Sequence, residues 1–229
     1  MRREKAELEF QKAIEEAETF VGYFSKQELL MMNLAALCTY QVTGKTIDKS
    51  IAGVMLKATL NKEIFSMDEL RGFREKREET LRNSKIVRSK DEKWGLVHGH
   101  YSRFTLAQIV GFVVARRQCN KLAVLLESSE RSLKFKGREA EISDKDRGNI
   151  LLASGLADEV EIIKGDRYDD EFYREIIKLT KPEVYFGNQE WDEERRREGE
   201  LRAGLVGAEI ILLPEVKGSH LSDVEDLLA

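Results

Sequence analysis

Histidine, cysteine and proline are scarce in this chain of 229 residues, at three, two and two copies. Cys38 and Cys119 lie far apart in segments of different kind. They exclude a disulfide scaffold and read as two reduced, packed thiols. With two prolines and no low-complexity tract, a Pro-rich spacer is excluded. No stretch approaches the roughly 18 uninterrupted apolar residues of a membrane span, so no membrane partner is expected. A charge excess is missing too: 38 basic residues face 42 acidic ones, a formal net charge of −4. Without a broad basic field, nucleic-acid binding is not expected as the main role. The first residues, Met1-Arg2-Arg3-Glu4-Lys5, have no apolar region behind them. They predict no secretory signal, and hence a cytoplasmic protein.

What is present divides into two patterns. Residues 1–90 read as helix throughout and are expected to form a helical N-terminal domain, a small bundle that packs, dimerises or binds a protein partner. Ala6–Phe20 is amphipathic, with Leu8, Phe10, Ile14 and Ala17 on one face. Leu29–Tyr40 is apolar enough to be a buried central helix, and Thr46–Leu60 resumes a helical period. Ser66-Met-Asp-Glu69 has the spacing of a capping box and predicts a helix start. From residue 91 to 229 the pattern becomes α/β. Short apolar strands are expected at Trp94–His98, Lys121–Glu127, Glu159–Ile163, Glu183–Gly187 and Ala208–Leu213. Helices are expected between them at Arg103–Arg117, Asp144–Ser154, Asp169–Leu179 and Asp192–Val206, with a last one at Leu221–Leu228. Five parallel strands with crossover helices make a Rossmann-like sheet with flanking helices, whose ligands sit at the carboxyl ends of the strands.

The stretch from Trp94 to Ile109 therefore matters most. It reads as a strand, a Gly-centred turn and a helix start, where an α/β protein places phosphate. It also carries His98 and His100, and the third histidine, His220, lies near the far end of the chain. His98 fits either a packed strand-end residue or a functional one. Histidines placed there could contact phosphate or act as acid or base. Their spacing matches no known ligand pattern, so no metal site is expected from them.

Several short segments, in order, carry a resemblance. They are Arg131-Ser-Leu-Lys134-Phe-Lys-Gly137-Arg138, Ser143-Asp-Lys-Asp146-Arg147, Ala157-Asp158-Glu159-Val160, Lys181-Pro182-Glu183-Val184 and Gly187-Asn-Gln-Glu190-Trp191. From about Trp94 onward the chain resembles the cytidylyltransferase-like nucleotidyltransferases. That group includes the small glycerol-3-phosphate cytidylyltransferases and the nucleotidyltransferase domain of heptose-phosphate synthesis enzymes. The family's opening motif, Gly-x-Phe-Asp-x-x-His-x-Gly-His, falls on Gly99-His100-Tyr101-Ser102-Arg103-Phe104-Thr105-Leu106-Ala107-Gln108. The glycine and an aromatic remain; Asp becomes Ser102, and the two phosphate-binding histidines become Thr105 and Gln108. The second motif, Arg-x-x-Gly-x-Ser-Thr-Thr, falls on Glu215 to Ser222, keeping Gly218 and the Ser222 hydroxyl, with His220 in the first serine position. The motif is degenerate.

The resemblance implies a nucleoside triphosphate, CTP favoured, with Mg²⁺ on its phosphates. It implies transfer of the nucleotidyl group to a small phosphorylated alcohol or sugar and release of pyrophosphate. His100, Lys134 and His220 are the implied catalytic residues. Gly99, Tyr101, Ser102, Thr105, Gln108, Glu190, Trp191, Gly218 and Ser222 are the implied nucleotide contacts. The family often dimerises near Ala157–Val160. Structural readings stand beside these: Lys134 as a solvated loop lysine, Trp191 as a core aromatic, Asp146 and Arg147 as helix-orienting residues. Thr and Gln can donate hydrogen bonds but carry no charge, and losing a charge-assisted donor costs on the order of 3 kcal/mol of transition-state stabilisation. A catalytically silent member, acting in nucleotide sensing or protein assembly, is therefore the alternative, with a relocated-histidine hydrolase behind it.

Overall fold

The computed structural model describes residues 17, 21–43, 58–59, 64, 66, 68–69, 71–73, 75–76, 91–102, 104–137, 139–165, 169–189 and 191–213. The expected helices at 6–20, 46–60 and 221–228 lie wholly or mostly outside them, as do Glu190, Gly218, His220 and Ser222. Five parallel strands form the sheet: β1 Trp94–Gly99, β2 Lys121–Glu127, β3 Glu159–Ile163, β4 Val184–Asn188 and β5 Glu209–Leu213. Their order is β3-β2-β1-β4-β5, which confirms the Rossmann-like reading. The helices are α1 Lys26–Thr43, α2 Leu106–Arg117, α3 Ser129–Lys136, α4 Asp144–Ser154, α5 Asp170–Thr180 and α6 Glu193–Gly204. No helix among the described residues is long and apolar enough to cross a membrane.

Alternation along the strands separates two cores. Val97, Val124 and Phe186 point to one face, where they meet Ile109, Val113, Ile150 and Leu151 of α2 and α4. Leu96, Leu125 and Tyr185 point to the other, against Ile177 of α5 and Ala203 of α6. Both faces are covered, so the central strands are apolar almost throughout. The buried helix expected at 29–40 is α1, which packs on α4 and α2 and shares the first core through Leu29, Leu34 and Ala35. A charged clamp fixes it there. Arg117 Nε and Nη2 reach the Glu28 carboxylate at 2.6 and 3.2 Å, and Nη2 also donates to the Tyr23 carbonyl at 3.1 Å. The capping box at Ser66 and Glu69 forms in both directions, at 2.6 and 3.2 Å.

Helix ends follow local chemistry. Ser143 caps α4, Asp144 and Asp146 stand in its first turn, and Gly155 closes it in the left-handed conformation. One segment departs from expectation. Ser129–Lys136, read as part of a loop, is a full helix, because Ser128 accepts from the Arg131 N–H and Gly137 terminates it at φ 65°.

Two acids close the amino-terminal edge of the sheet. Asp158 accepts from the Leu122 N–H at 3.0 Å and from Arg116 Nη1 at 2.6 Å, tying β2, the end of α2 and the start of β3. Glu183 accepts the Trp94 N–H at 2.7 Å in the same way between β4 and β1. Burial alone would raise the Asp158 pKa, but Arg116, the Leu122 amide and Lys121 hold it below its ordinary value. Replacing Asp158 with alanine strands the buried-edge amide and Arg116 together, an expected loss of roughly 2 kcal/mol in urea unfolding. An unchanged midpoint would show that the acid contributes nothing there.

Candidate functional site

In an open parallel sheet the ligand crevice lies where the strand order reverses, outside the carboxyl ends of the two strands that diverge. Here those strands are β1 and β4. A cleft of about 810 Å³ opens there, between the turn after β1, the first turns of α2, the end of β4 and the facing sides of α5 and α6. Gly99, His100, Tyr101, Ser102, Thr105 and Gln108 line one side, and Trp191 lines the other. With His98, which also lines the cleft, the structure thus brings together eight of the residues singled out in the sequence. Lys134 is not among the lining residues: it is exposed on α3, with Nζ 5.5 Å from the Phe135 ring.

The turn is held by its own side chains. Tyr101 adopts φ 42°, the left-handed region, which costs a non-glycine residue roughly 1–2 kcal/mol. Its ring offsets that cost by packing 4.8 Å from Phe112 and folding over Gly99, where a Cβ would approach Tyr101 Cζ to 2.9 Å. Burial pushes the Tyr101 phenol well above its ordinary pKa, so it stays neutral. From below, fully buried Arg147 donates to the His100 carbonyl and to Asp144 Oδ1 at 2.6 Å. Arg147 is thus the brace of the turn, matching its reading as an orienting residue.

Thr105 and Gln108 form a reciprocal capping box. The Thr105 hydroxyl accepts from the Gln108 N–H and Gln108 Oε1 accepts from the Thr105 N–H, each at 3.2 Å. The spacing Thr-x-x-Gln before an apolar run is the signal that identifies this motif in the sequence. The two side chains therefore start α2 on their own, with no ligand required. Trp191 is wedged between glycines: a Cβ at Gly187 or Gly199 would come within 2.7 or 2.4 Å of Trp191 Cζ3. It packs on the second core and still forms cleft wall, so its structural and lining roles coexist.

The residue that sequence reasoning missed is Glu127, the last of β2. Its side chain is fully buried yet lines the cleft. Oε1 lies 2.6 Å from His98 Nε2 and accepts from the Tyr173 hydroxyl at 2.9 Å. Oε2 lies 3.3 Å from both Arg131 Nε and His100 Nε2. Arg131, also buried, continues to the Gly165 carbonyl at 3.0 Å and the Tyr173 hydroxyl at 3.2 Å. Burial pushes the Glu127 pKa up, but the His98 hydrogen bond, the charges of His98 and His100 and the Tyr173 hydroxyl outweigh it, holding the carboxyl at about 2. In the sequence Glu127 shows only as an acid that ends the apolar run Leu122–Leu126, four residues before Arg131.

Chemically the arrangement offers imidazoles backed by a permanent carboxylate, a helix amino terminus and an aromatic wall. Arg195 and Arg202 of α6 add positive charge on the far side, among Asp170, Asp192, Glu194 and Glu198. Among the described residues no three His, Cys, Asp or Glu side chains converge as metal ligands.

The depressed Glu127 pKa fixes the sign of an acid response. Its stabilisation is complete above the ordinary 4.5 and is lost as pH falls from there toward 2. Urea midpoints should therefore drop through that window in the wild type. Glu127→Gln should cost on the order of 3 kcal/mol at neutral pH by leaving Arg131 uncompensated, and should flatten this acid limb. An acid limb of equal steepness in the variant would assign the effect elsewhere.

No protein-family model matches the sequence, and no curated protein matches it. Among solved structures, the chain is similar to a lipopolysaccharide core biosynthesis protein from Thermoplasma volcanium, at 14% identity and a TM-score of 0.44, over 56% of this chain and 98% of that one.

Proposed function

We propose that the cleft binds a nucleoside triphosphate and that the protein transfers its nucleotidyl group to a small phosphorylated alcohol or sugar, releasing pyrophosphate. The observation that carries this reading is the content of the switch-point cleft. One opening holds the Gly-His-Tyr-Ser turn, the amino terminus of α2, two imidazoles and a tryptophan wall. Phosphates belong at the turn, where backbone N–H groups and the helix dipole favour anions. The base belongs against Trp191, with CTP favoured by the sequence resemblance.

In such a transfer the acceptor's phosphate oxygen attacks the α-phosphorus while the bond to pyrophosphate breaks. The protein's contribution is positioning and electrostatic stabilisation. The left-handed Tyr101 and the Arg147 brace hold the turn before any ligand arrives, so its donors need no reorganisation. His98 and His100 supply positive charge when protonated. Mg²⁺ bound with the triphosphate would neutralise phosphate charge.

The silent reading also has an observation in its favour. Thr105 and Gln108 satisfy each other, so the positions of the family's histidines serve helix initiation. One titration separates the two. Trp191 is half-buried at the cleft whereas Trp94 is buried at 3% exposure, so intrinsic fluorescence should report ligand at Trp191. CTP with Mg²⁺ is expected to change it with Kd on the order of 10–100 μM, and pyrophosphate should be released when the right polyol or sugar phosphate is added. Saturable binding with no release across the acceptor panel would establish the silent reading. Failure of all four nucleoside triphosphates to bind at millimolar concentration would overturn both.

A further inference from the structure

We infer that His98 is the residue through which this cleft takes up an anion, with Glu127 as its positioning residue, so that anion binding is coupled to uptake of a proton on His98 Nδ1. The inference deepens the nucleotide reading, because it names the charged group that the motif positions Thr105 and Gln108 do not supply.

The geometry assigns the two ring nitrogens different tasks. Nε2 is engaged by Glu127 Oε1 at 2.6 Å. Glu127 is buried and ionised, and an ionised carboxylate only accepts, so Nε2 must carry the hydrogen. The ring is further fixed by Tyr173, whose centroid lies 4.7 Å away, and by the Tyr101 hydroxyl on the His98 carbonyl at 3.5 Å. The other ring nitrogen, Nδ1, belongs to a side chain that is 18% exposed and lines the cleft. In the neutral ring it is an acceptor; in the protonated ring it is a charge-assisted donor.

Charge balance favours the protonated ring when an anion is present. Glu127 meets Arg131 at 3.3 Å as well as the two imidazoles, so an anion at Nδ1 adds the counter-charge that stabilises a protonated His98. Around His98 the charged and titratable neighbours are Glu127 on β2, His100 in the following turn, Arg131 on α3 and Tyr173 on α5. Asp170, Asp192, Glu194, Arg195, Glu198 and Arg202 line the remaining cleft from the α5 and α6 side. Those carboxylates disfavour an anion there and leave the turn and His98 as its place. Histidine side chains as a class change charge between about pH 5 and 8, which sets the range of the test.

Inorganic pyrophosphate is the probe, titrated into the whole chain and into His98→Gln from pH 6 to 8.5. Both proteins share the probe's own ionisation, so the ratio of their affinities isolates the side chain. The wild type should bind about tenfold tighter at pH 6, with the advantage collapsing toward unity by pH 8.5. A ratio that stays constant with pH, or no pyrophosphate binding at any pH, overturns the inference even if nucleotides bind. Pyrophosphate bound with the expected ratio while no nucleotide binds overturns the nucleotide reading and leaves this one standing. Nitrogen NMR of the wild-type imidazoles needs no variant. The neutral His98 ring should carry its hydrogen on Nε2, and pyrophosphate should raise Nδ1 protonation at fixed pH; a neutral ring protonated on Nδ1 overturns the inference.

Discussion

A carboxylate with no exposed surface is expensive unless several donors meet it, and Glu127 is met by an imidazole, a guanidinium and a phenol, with a second imidazole within 3.3 Å. These groups come from β1, the turn after it, α3 and α5. Every one of those elements must be in place before the charge is tolerable, so one side chain ties the carboxyl end of the sheet to helices on its rim. A well-packed apolar residue would hold the same elements with less risk, because burying an ion pair gains little net stability. What an apolar residue cannot do is orient an imidazole toward a cleft. The stability cost is therefore easiest to understand as the cost of a polarised site.

The sheet divides its labour between its two ends. At the amino-terminal edge, Asp158 and Glu183 each accept a backbone N–H from the neighbouring strand, and Arg116 adds a hydrogen bond to Asp158. At the carboxyl end, Arg147 and Arg131 point inward from α4 and α3 to a backbone carbonyl and a carboxylate. The first pair secures register; the second secures the shape of a turn whose Tyr101 sits in a left-handed backbone conformation. Such strain persists only where the surroundings over-determine it, and here they do so through Phe112, Gly99 and Arg147.

How legible this was depended on the range of the physics. Strands β2 and β3 and helix α4 fall at the bounds their patterns predict, because apolar runs, caps and terminal glycines act within a few residues. Helix α3 was harder to read: Leu133 and Phe135 are exposed while Arg131 and Ser132 are buried, which inverts the usual amphipathic cue. Its caps, Ser128 and Gly137, were the better guide. Glu127 was illegible for a different reason. An acid at a strand end reads as a solvated terminus until the strand order places it beside β1, and strand order is a tertiary fact. Thr105 and Gln108 were read as weakened ligands when the local rule, a capping box, already accounted for them.

Arg131, Arg147, Asp158 and Glu183, four residues within the matched segments, all serve the scaffold: two are fully buried guanidiniums and two close the sheet edge. Such segments would survive in a chain that kept the fold whatever happened to its chemistry. The turn from Gly99 to Gln108 departs most from the family motif, and it lies against the cleft. Around that opening the first turn of α2 closes on itself, and the imidazole that precedes Gly99 is held at 2.6 Å by a carboxylate from the adjacent strand. The polar groups there are organised by the chain's own contacts, so the chemistry of the cleft is to be judged by its His98–Glu127 pair and not by the motif positions that Thr105 and Gln108 occupy.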